Sequence, residues 1–467
     1  MSDPNIVFIV IDALRPDRVG FYNNQKKSFT PNIDELAQTG VAFKNNFACI
    51  NVTDPSLTSI FSGKYPKSHG LKNHGAKVTS EDLNRLKASE TKFLPEILRE
   101  ENYATLGVDW LGRWHKRGYD YYSGLQSAIL KITKMFLRDP TKIINLIKLL
   151  YIYRKEIPEL RVLYDEATTS HAKELIQKFQ NQKFFLFVHY WGTHAPYITP
   201  TTKTSESSSQ NEKESKNILD IDPNREKYHL RWFDDETSIN EIISRYDGAV
   251  NFADKQVGEI IKELEELGLR ENTLIVLTSD HGESLKEHGI YFDHHGLYDE
   301  SLYTPLIFNG PNLPEGRCVN GITQHTEIVP TILDYLDYDW DDLDIDGKTT
   351  IPNIEGEKEE VREVIYAEER EAERKNAIRT KGYKYIFAKN QAVAKCGYCD
   401  CLHGSVKELY DLKEDPKETK NILDDNEEKA NELERDFLEW KRETEKDKLE
   451  IMRIKKKVNN LKSKKSI

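Results

Sequence analysis

Three short apolar runs constrain the fold of this chain more than any other feature of its sequence. They cover residues 5–11, 183–189 and 273–279 and consist mainly of Ile, Val, Leu and Phe. Continuous apolar runs of this length are typical of strands that are buried on both faces of a parallel sheet. Helical patterns at residues 94–100 and 242–267 lie between the runs. The sequence therefore predicts an α/β fold in which helices flank a mostly parallel sheet.

Candidate metal ligands follow two of these runs directly. Ligands of parallel sheets gather beyond the carboxyl ends of the strands, where the first run leads into Asp12 and the third into Asp280 and His281. Carboxylate oxygens and an imidazole nitrogen suit Mn, Zn or Mg better than a metal that prefers thiolates. Capping of the following turn is the alternative role of Asp12. The pattern predicts a metal site at this edge of the sheet.

A candidate nucleophile, Thr53, stands where a further helix is predicted to begin. Pro55 suits the first helical position, Asp54 suits a cap, and Gly63 suits the end of the helix. The N–H groups and dipole at a helix start attract anions, so the Thr53 hydroxyl is predicted to meet an anionic group. A simple capped turn is the alternative interpretation. The metal-site pattern elsewhere in the chain favours catalysis.

Several loops carry side chains that we predict to contact a substrate. His194 precedes a proline in the loop after the second apolar run, where it is well placed to touch a ligand. Cationic or polar side chains also follow Gly63 and the predicted strand 103–108. Solvated surface charge is the alternative explanation for the last loop. The predicted substrate contacts are Lys64, His69, Asn73, Arg113 and His115.

Composition excludes some functions and favours others. The chain has 467 residues and a net charge of −12, which disfavours nonspecific binding of nucleic acid. We identify no signal peptide and no run that would span a bilayer, so we expect a soluble, cytoplasmic protein. The cysteines do not form a disulfide framework. Four clustered residues match the spacing of a structural zinc site, with a loop of reduced thiols as the alternative: Cys396, Cys399, Cys401 and His403.

The sequence resembles the sulfatase branch of the alkaline phosphatase superfamily. The similar segments include residues 4–17, 53–70, 194–197, 278–283, 297–307, 325–331 and 378–416. The resemblance implies an alkaline-phosphatase-like α/β fold with a smaller C-terminal α+β subdomain. It divides the chain into a catalytic domain (1–355), a subdomain (360–425) and a charged helical tail (426–467). We expect a basic helical insertion at about 127–161, packed on the core, and a mobile polar insertion at about 201–217.

Departures from the family pattern indicate the chemistry. The family has Cys or Ser at the position of Thr53, which becomes formylglycine, and Arg at the position of Leu57. Threonine cannot be converted to formylglycine, and Cys49 lacks the required Pro and Arg after it, so we expect no formylglycine. Threonine at this position resembles the phosphotransferases of the superfamily. Ala13 stands where the family has a second Asp, which favours a single divalent ion, with Mn, Mg, Zn and Ca left open.

The resemblance implies a metal-dependent hydrolase or transferase that acts on sulfate or phosphate esters. We favour phosphate ester and diester chemistry, in which Asp12, Asp280 and His281 hold the ion and Thr53 coordinates it and attacks. His194 is the candidate that protonates the leaving oxygen. His294 or His295 is an alternative, because the family places a Lys or His just before the Leu-Tyr-Asp-Glu segment.

Two alternatives stay open at this point. One is a sulfuric ester hydrolase that works without formylglycine, and the other is a noncatalytic relative that binds anionic glycans. The expected partner is an anionic ester, such as a glycan or a lipid head group. The sequence does not decide the oligomeric state.

Overall fold

The computed structural model describes residues 3–23, 30–109, 111–123, 159–197, 217–221, 233 and 238–444. The predicted basic insertion at 127–161, apart from its last three residues, lies outside the described residues. So do the predicted polar insertion up to residue 216 and the part of the predicted tail beyond residue 444.

A mixed, mostly parallel sheet forms the centre of the molecule, as predicted. Its strands are arranged in the order β4-β3-β5-β1-β6-β7-β2-β8, and β9 pairs with β2. The strand β7 is antiparallel to both of its neighbours, and the other described pairs are parallel. The strands are β1 (Asn5–Ile11), β2 (Val41–Phe47), β3 (Ala104–Val108), β4 (Tyr121–Ser123), β5 (Phe184–Tyr190), β6 (Thr273–Thr278), β7 (Tyr303–Asn309), β8 (Arg317–Val319) and β9 (Thr323–Gln324).

The three apolar runs of the sequence form adjacent strands in this sheet. Every residue of β1, β5 and β6 is buried, because hydrophobic clusters cover both faces of the sheet. The strand β1 pairs in parallel with β5 and with β6. In this register Val10 lies beside His189 and also beside Thr278. The carboxyl ends of the three strands therefore meet at one edge of the sheet.

Helices flank the sheet on both faces. The long helix α6 contributes Ile242, Ala249 and Val257 to the cluster on one face, and α2 contributes Leu57 and Ile60 to the other. The longer helices are α1 (Pro31–Thr39), α2 (Thr53–Ser62), α3 (Ser80–Ala88), α4 (Leu94–Glu100), α5 (Glu159–Phe179), α6 (Ile239–Glu266), α7 (Ile328–Tyr335) and α8 (427–444). Single helical turns occur at Pro66–His69, Ile218–Ile221, Asp299–Leu302, Ile351–Ile354 and Gln391–Ala394.

A second, antiparallel sheet occupies the C-terminal region. It consists of β10 (Val364–Glu368), β11 (Lys375–Thr380), β12 (Tyr383–Ala388) and β13 (Lys407–Asp411), in that order. Phe437 of α8 packs in a cluster with residues of this sheet. The sheet also contacts the main body, since the N–H of Glu368 donates to the carbonyl of Cys49 at 3.1 Å. The exact domain boundaries stay a prediction.

The helices of the described ranges lack the combination of length and apolarity that a transmembrane segment requires. One predicted boundary is corrected by the structure. The helix α2 begins at Thr53, two residues before Pro55, because Val52 rather than Asp54 is the extended residue before the helix (φ −141°). Gly63 ends the helix as predicted, with a left-handed φ of 64°.

Candidate active site

Two buried aspartates and a histidine meet where β1, β5 and β6 end. Asp12, His189 and Asp280 each offer one ligand atom, and these atoms lie within 4.8 Å of one another. The turn after β1 directs the N–H of Ala13 to Asp280 Oδ1 at 3.1 Å, with Ala13 at a φ of 56°. Non-glycine residues rarely adopt this left-handed conformation, and it occurs preferentially at functional sites.

His281 joins this group through one nitrogen. Its Nδ1 lies 2.8 Å from the carbonyl of Gly282 and donates to it, which leaves Nε2 as the atom that faces the carboxylates. His281 Nε2 is 3.7 Å from Asp12 Oδ1 and 3.3 Å from Asp280 Oδ2. Burial alone would raise the pKa of Asp280. The adjacent imidazoles of His281 and His189, together with hydrogen bonds to the carboxylate, have a larger combined effect, so the pKa lies below its ordinary value.

The hydroxyl of Thr53 lies beside this group. Thr53 Oγ1 is 3.3 Å from His281 Nε2, and the residue is 3% exposed. Because Thr53 is the first residue of α2, the backbone dipole of that helix also points at the site. The structure therefore brings together the predicted residues Asp12, Thr53, Asp280 and His281.

Sequence reasoning missed His189, which is held by a buried carboxylate. His189 Nδ1 is 2.9 Å from Asp109 Oδ1, and Tyr122 also donates to Asp109. Burial raises the pKa of Asp109, but the hydrogen bond and charge of His189, together with smaller effects of His115 and Tyr122, outweigh burial and the pKa is lowered. A histidine oriented by a carboxylate is a common arrangement at metal sites. The sequence carried a signal for this residue, because His189 is the last residue of the apolar run 183–189, just as Asp12 follows the first run.

The residues of this group fit a divalent cation by their donor chemistry. Asp12, Asp280 and His281 are 0% exposed and His189 is 1% exposed. Two carboxylates buried side by side are costly unless a cation compensates their charge. Carboxylate oxygens with imidazole nitrogens are a donor set for Mn, Zn or Mg. A divalent ion at this site remains a prediction, and its identity is open.

A second buried network fixes the first turn of α2. Burial raises the pKa of Asp54, but hydrogen bonds from His115 and His74 reverse the effect and hold the pKa well below its ordinary value. Asp54 Oδ1 lies 2.6 Å from Arg113 Nη2 and 3.1 Å from His115 Nε2. Arg113 and His115 thus bond to the residue after Thr53, and their predicted role as substrate contacts stays a prediction.

Ser56 and His325 lie beside the predicted metal group, which consists of Asp12, His189, Asp280 and His281. Ser56 Oγ donates to the carbonyl of Asp280 and is 3.1 Å from His325 Nδ1. His325 Nε2 is 3.2 Å from Thr304 Oγ1. Burial lowers the pKa of His325 to about 3, so the ring is neutral and bridges two hydroxyls. These contacts tie α2 to the end of β6.

His294 and His194 continue a row of imidazole rings that begins at His281. The ring of His294 lies 4.4 Å from that of His281 and 5.9 Å from that of His194, centroid to centroid. Burial lowers the pKa of His294 well below its ordinary value, and the imidazoles of His281, His194 and His295 add to the effect. His194 Nδ1 donates to the carbonyl of Ala195 at 2.9 Å. His194 and His294 therefore lie together next to the metal group.

The side chain of His295 contacts Asp293 and Tyr398. Its Nε2 is 2.8 Å from Asp293 Oδ2, and its ring stacks on Tyr398 with centroids 4.9 Å apart. This contact links the active-site loop to the C-terminal sheet region.

The structure gives the remaining predicted substrate contacts other hydrogen-bond partners. Lys64 is paired with Asp344 at 2.5 Å, and His69 Nε2 is 3.1 Å from Ser59 Oγ. Asn73 Nδ2 donates to Asp82 Oδ2 at 3.0 Å. Each of these contacts supports the helices and loops behind Thr53, so contact of these residues with a substrate stays a prediction.

The structure assembles three of the four cysteine-cluster residues. Ligand atoms of Cys396, Cys399 and His403 lie within 4.8 Å of one another. Cys401 is not part of this group, and its Sγ donates to the carbonyl of Cys399 at 3.5 Å.

Two family models match the chain, and curated proteins and solved structures are similar to it. A family model described as Sulfatase matches residues 4–338, and one described as N-sulphoglucosamine sulphohydrolase, C-terminal, matches residues 286–443. A protein named Sulfatase from Formosa agariphila is 26% identical over 448 residues, which cover 90% of this chain and 82% of that relative.

Two other similar proteins illustrate the range of relatives. The N-acetylglucosamine-6-O-sulfatase of Bacteroides thetaiotaomicron is 22% identical over 498 residues and covers 90% of this chain and 82% of its own. The crystal structure of phosphonate monoester hydrolase of Agrobacterium radiobacter superposes with a TM-score of 0.70 at 20% identity. The match covers 94% of this chain and 96% of that one, so the two share a fold.

Proposed function

We propose that this chain, a member of the sulfatase family, hydrolyses an anionic phosphate ester through Thr53. Its relatives make it an ester hydrolase of the sulfatase and alkaline phosphatase superfamily. The proposal concerns the nucleophile and the group that is transferred, since the family alone decides neither. It extends to phosphate diesters, in which one ester bond is broken and the other is kept.

One observation carries this proposal. Thr53 Oγ1 lies 3.3 Å from His281 Nε2, and that nitrogen lies within 3.7 Å of both aspartates of the predicted metal group. An ordinary threonine hydroxyl is a weak nucleophile and needs metal coordination or a base to react. The contact between Thr53 and His281 supports activation of this hydroxyl by the predicted metal site.

The side chains around Thr53 have separate roles in the proposed reaction. Asp12, Asp280, His281 and His189 are the residues that would hold a divalent cation. When bound, the cation supplies positive charge that lowers the pKa of a coordinated hydroxyl and neutralises charge on a nonbridging oxygen of the ester.

In the first step, Thr53 Oγ1 forms a bond to phosphorus as the bond from phosphorus to the leaving oxygen breaks. The hydroxyl of Thr53 gives up its proton to solvent. His194 Nε2 donates a proton to the leaving oxygen, since Nδ1 of the same ring is held by the Ala195 carbonyl.

In the second step, water gives a proton back to His194 and its oxygen attacks phosphorus. Thr53 leaves and takes a proton from solvent, which restores the starting state. Both steps use the same residues in reverse roles, as general acid–base catalysis allows.

The identity of the nucleophile favours phosphate over sulfate. A sulfated formylglycine hydrate releases sulfate by elimination, a route that a threonine ester does not have. A phosphorylated threonine can instead be opened by in-line attack of water on phosphorus. The residue at position 53 is therefore the reason to rank phosphate esters first.

Sulfate ester hydrolysis is the second candidate function. The family match and the relatives named sulfatases favour it. In that case the threonine ester would have to be broken by direct attack of water on sulfur.

A matched set of p-nitrophenyl substrates tests the proposal. The protein would be loaded with Mn²⁺ and assayed on p-nitrophenyl phosphate, bis-p-nitrophenyl phosphate and p-nitrophenyl sulfate, which share one leaving group. We expect the phosphate compounds to have the highest kcat/KM. A sulfate-only profile would contradict the phosphate assignment, and no turnover of any compound by metal-loaded protein would favour a binding role.

A further inference from the structure

The cysteine cluster of the C-terminal region is separate from the candidate active site. Cys396, Cys399 and His403 lie in the connection between β12 and β13. Their relative exposures are 2%, 8% and 5%, and their ligand atoms lie within 4.8 Å of one another. None of these residues takes part in the proposed reaction at Thr53.

The backbone of the loop directs its groups inward around Cys396. The N–H of Cys396 donates to the carbonyl of Cys401 at 2.8 Å, and the N–H of Asp400 donates to the carbonyl of Cys396 at 3.0 Å. The N–H of Tyr398 donates to Cys396 Sγ at 3.4 Å.

The imidazole of His403 is oriented in the manner of a metal ligand. His403 Nδ1 is 2.8 Å from Glu373 Oε1, and its Nε2 is 3.4 Å from Cys399 Sγ. The carboxylate is itself fixed, because Glu373 Oε2 lies 3.1 Å from Lys375 Nζ. Metal-binding histidines usually donate their second N–H to such a carboxylate.

We propose that Cys396, Cys399 and His403 bind a structural zinc ion, distinct from the metal of the active site. Two thiolates and one imidazole form a soft donor set, which favours zinc over the hard ions that suit carboxylates. The Cys-x2-Cys spacing followed by a histidine is common among structural zinc sites. Zinc also compensates the charge of two thiolates that are buried together. Water or Cys401 completes the tetrahedral coordination.

The zinc ion stabilises the loop against which His295 packs. Tyr398 lies between the two cysteine ligands and stacks on His295, with ring centroids 4.9 Å apart and planes 20° apart. His295 follows His294 directly in the chain. The ion thus supports the segment that carries His294 without contacting the substrate.

Metal content and cobalt absorption test the zinc site independently of catalysis. The full-length protein would be purified without chelators, dialysed and analysed for zinc by plasma mass spectrometry. A double variant, Cys396→Ser with Cys399→Ser, would be compared with Cys318→Ser, which alters a cysteine outside the cluster, and with Asp280→Asn, which alters the other metal group. Cobalt would then replace zinc, and absorption would be recorded.

We expect the double variant to lose one zinc ion per chain relative to Cys318→Ser, while Asp280→Asn keeps it. We also expect cobalt to give a thiolate-to-metal charge-transfer band in the unsubstituted protein and in Asp280→Asn. Absence of that band in the unsubstituted protein would overturn the proposal even if the double variant fails to fold. A Cys396–Cys399 disulfide found by alkylation and mass analysis of the freshly purified protein would also overturn it.

Discussion

Thr53 is the residue on which the proposed chemistry depends. Its hydroxyl oxygen lies 3.3 Å from His281 Nε2. Thr53 does not cap α2, because Val52 is the residue that precedes the helix. Thr53→Ala removes this hydroxyl, whereas Thr53→Ser keeps it. Substitution of Thr53 therefore separates chemistry from folding.

The first prediction concerns Thr53→Ala. We expect this change to lower kcat by about 10⁴-fold or more, the order seen when a catalytic nucleophile is removed. Thr53→Ser is the matched control, since it keeps the hydroxyl and should keep most of the activity. Manganese affinity, measured by titration calorimetry, should be nearly unchanged in both variants. Wild-type rates in Thr53→Ala would refute the covalent mechanism.

The second prediction concerns His194 as the proton donor. A general acid matters most when the leaving group is a poor one, so His194→Gln should lower kcat/KM on an alkyl phosphate ester by about 10²-fold or more. The loss on the matching p-nitrophenyl ester should be much smaller, because p-nitrophenolate leaves without a proton. Equal losses on the two esters would assign His194 to substrate binding instead.

At the scale of elements, one buried carboxylate connects two helices. Asp254 on α6 accepts a hydrogen bond at Oδ1 from the N–H of Ile33 at 2.9 Å, and at Oδ2 from Asn32 at 2.7 Å. Both partners lie in the first turn of α1, whose preceding residue Thr30 provides no side-chain cap. Asp254 thus caps α1 from a different helix.

The third prediction follows from the titration of this carboxylate. Burial raises the pKa of Asp254 from 3.8 to about 6, even though the hydrogen bonds from Ile33 and Asn32 lower it. Because the folded state holds this proton more tightly than the unfolded state, the benefit is present below pH 4 and is lost as the pH rises through 6. The loss is on the order of 2–3 kcal/mol.

The variant Asp254→Asn keeps an oxygen acceptor but does not titrate. Relative to the unsubstituted protein, its thermal midpoint should therefore rise between pH 4.5 and pH 7.5. Thermal unfolding of both proteins in the same buffers measures this difference. A constant difference across the range would show that Asp254 titrates normally in the folded state.

Elements with strong, local signals could be predicted from the sequence. The helix α4 was predicted at its observed bounds, and the apolar runs became β1, β5 and β6 within one residue. The start of α2 was predicted two residues late, because Asp54 and Pro55 together suggest a cap followed by a first helical residue. In the structure, Asp54 instead bonds to Arg113 and His115, which are distant in sequence.

The site could be predicted only in part for the same reason. Asp12, Asp280 and His281 follow apolar runs, so strand ends alone indicated them. His189 closes such a run but becomes a metal-site residue only through the pairing of β5 with β1. The acidic partners of Lys64 and Asn73 depend on tertiary contacts that spacing does not encode.

At the scale of the whole molecule, metal binding is expected to connect activity with stability. The group at the sheet edge draws residues from β5 and from the loops after β1 and β6, so an ion there cross-links the centre of the main sheet. A ligand that binds only the folded state stabilises it by about 2.7 kcal/mol at 100 times its Kd. The active-site ion should therefore raise the unfolding temperature.

The fourth prediction concerns removal of this ion. Treatment with a chelator should abolish turnover and lower the thermal midpoint. Added Mn²⁺ should restore turnover, while the part of the midpoint that depends on zinc at the cysteine cluster should return only with added Zn²⁺. In Asp280→Asn, added Mn²⁺ should leave the midpoint unchanged, because one of the two buried carboxylates is neutralised. Full activity of chelator-treated protein, verified to be metal-free, would contradict the proposed mechanism.

Trapping of a phosphorylated intermediate on Thr53 tests the covalent mechanism most directly. The protein would be mixed with ³²P-labelled phosphate diester, quenched in acid during turnover, digested and analysed by peptide mass spectrometry. We expect label in the peptide that contains Thr53, with phosphate on that residue, and no label in Thr53→Ala. Turnover without label on Thr53, together with an active Thr53→Ala variant, would contradict the covalent mechanism.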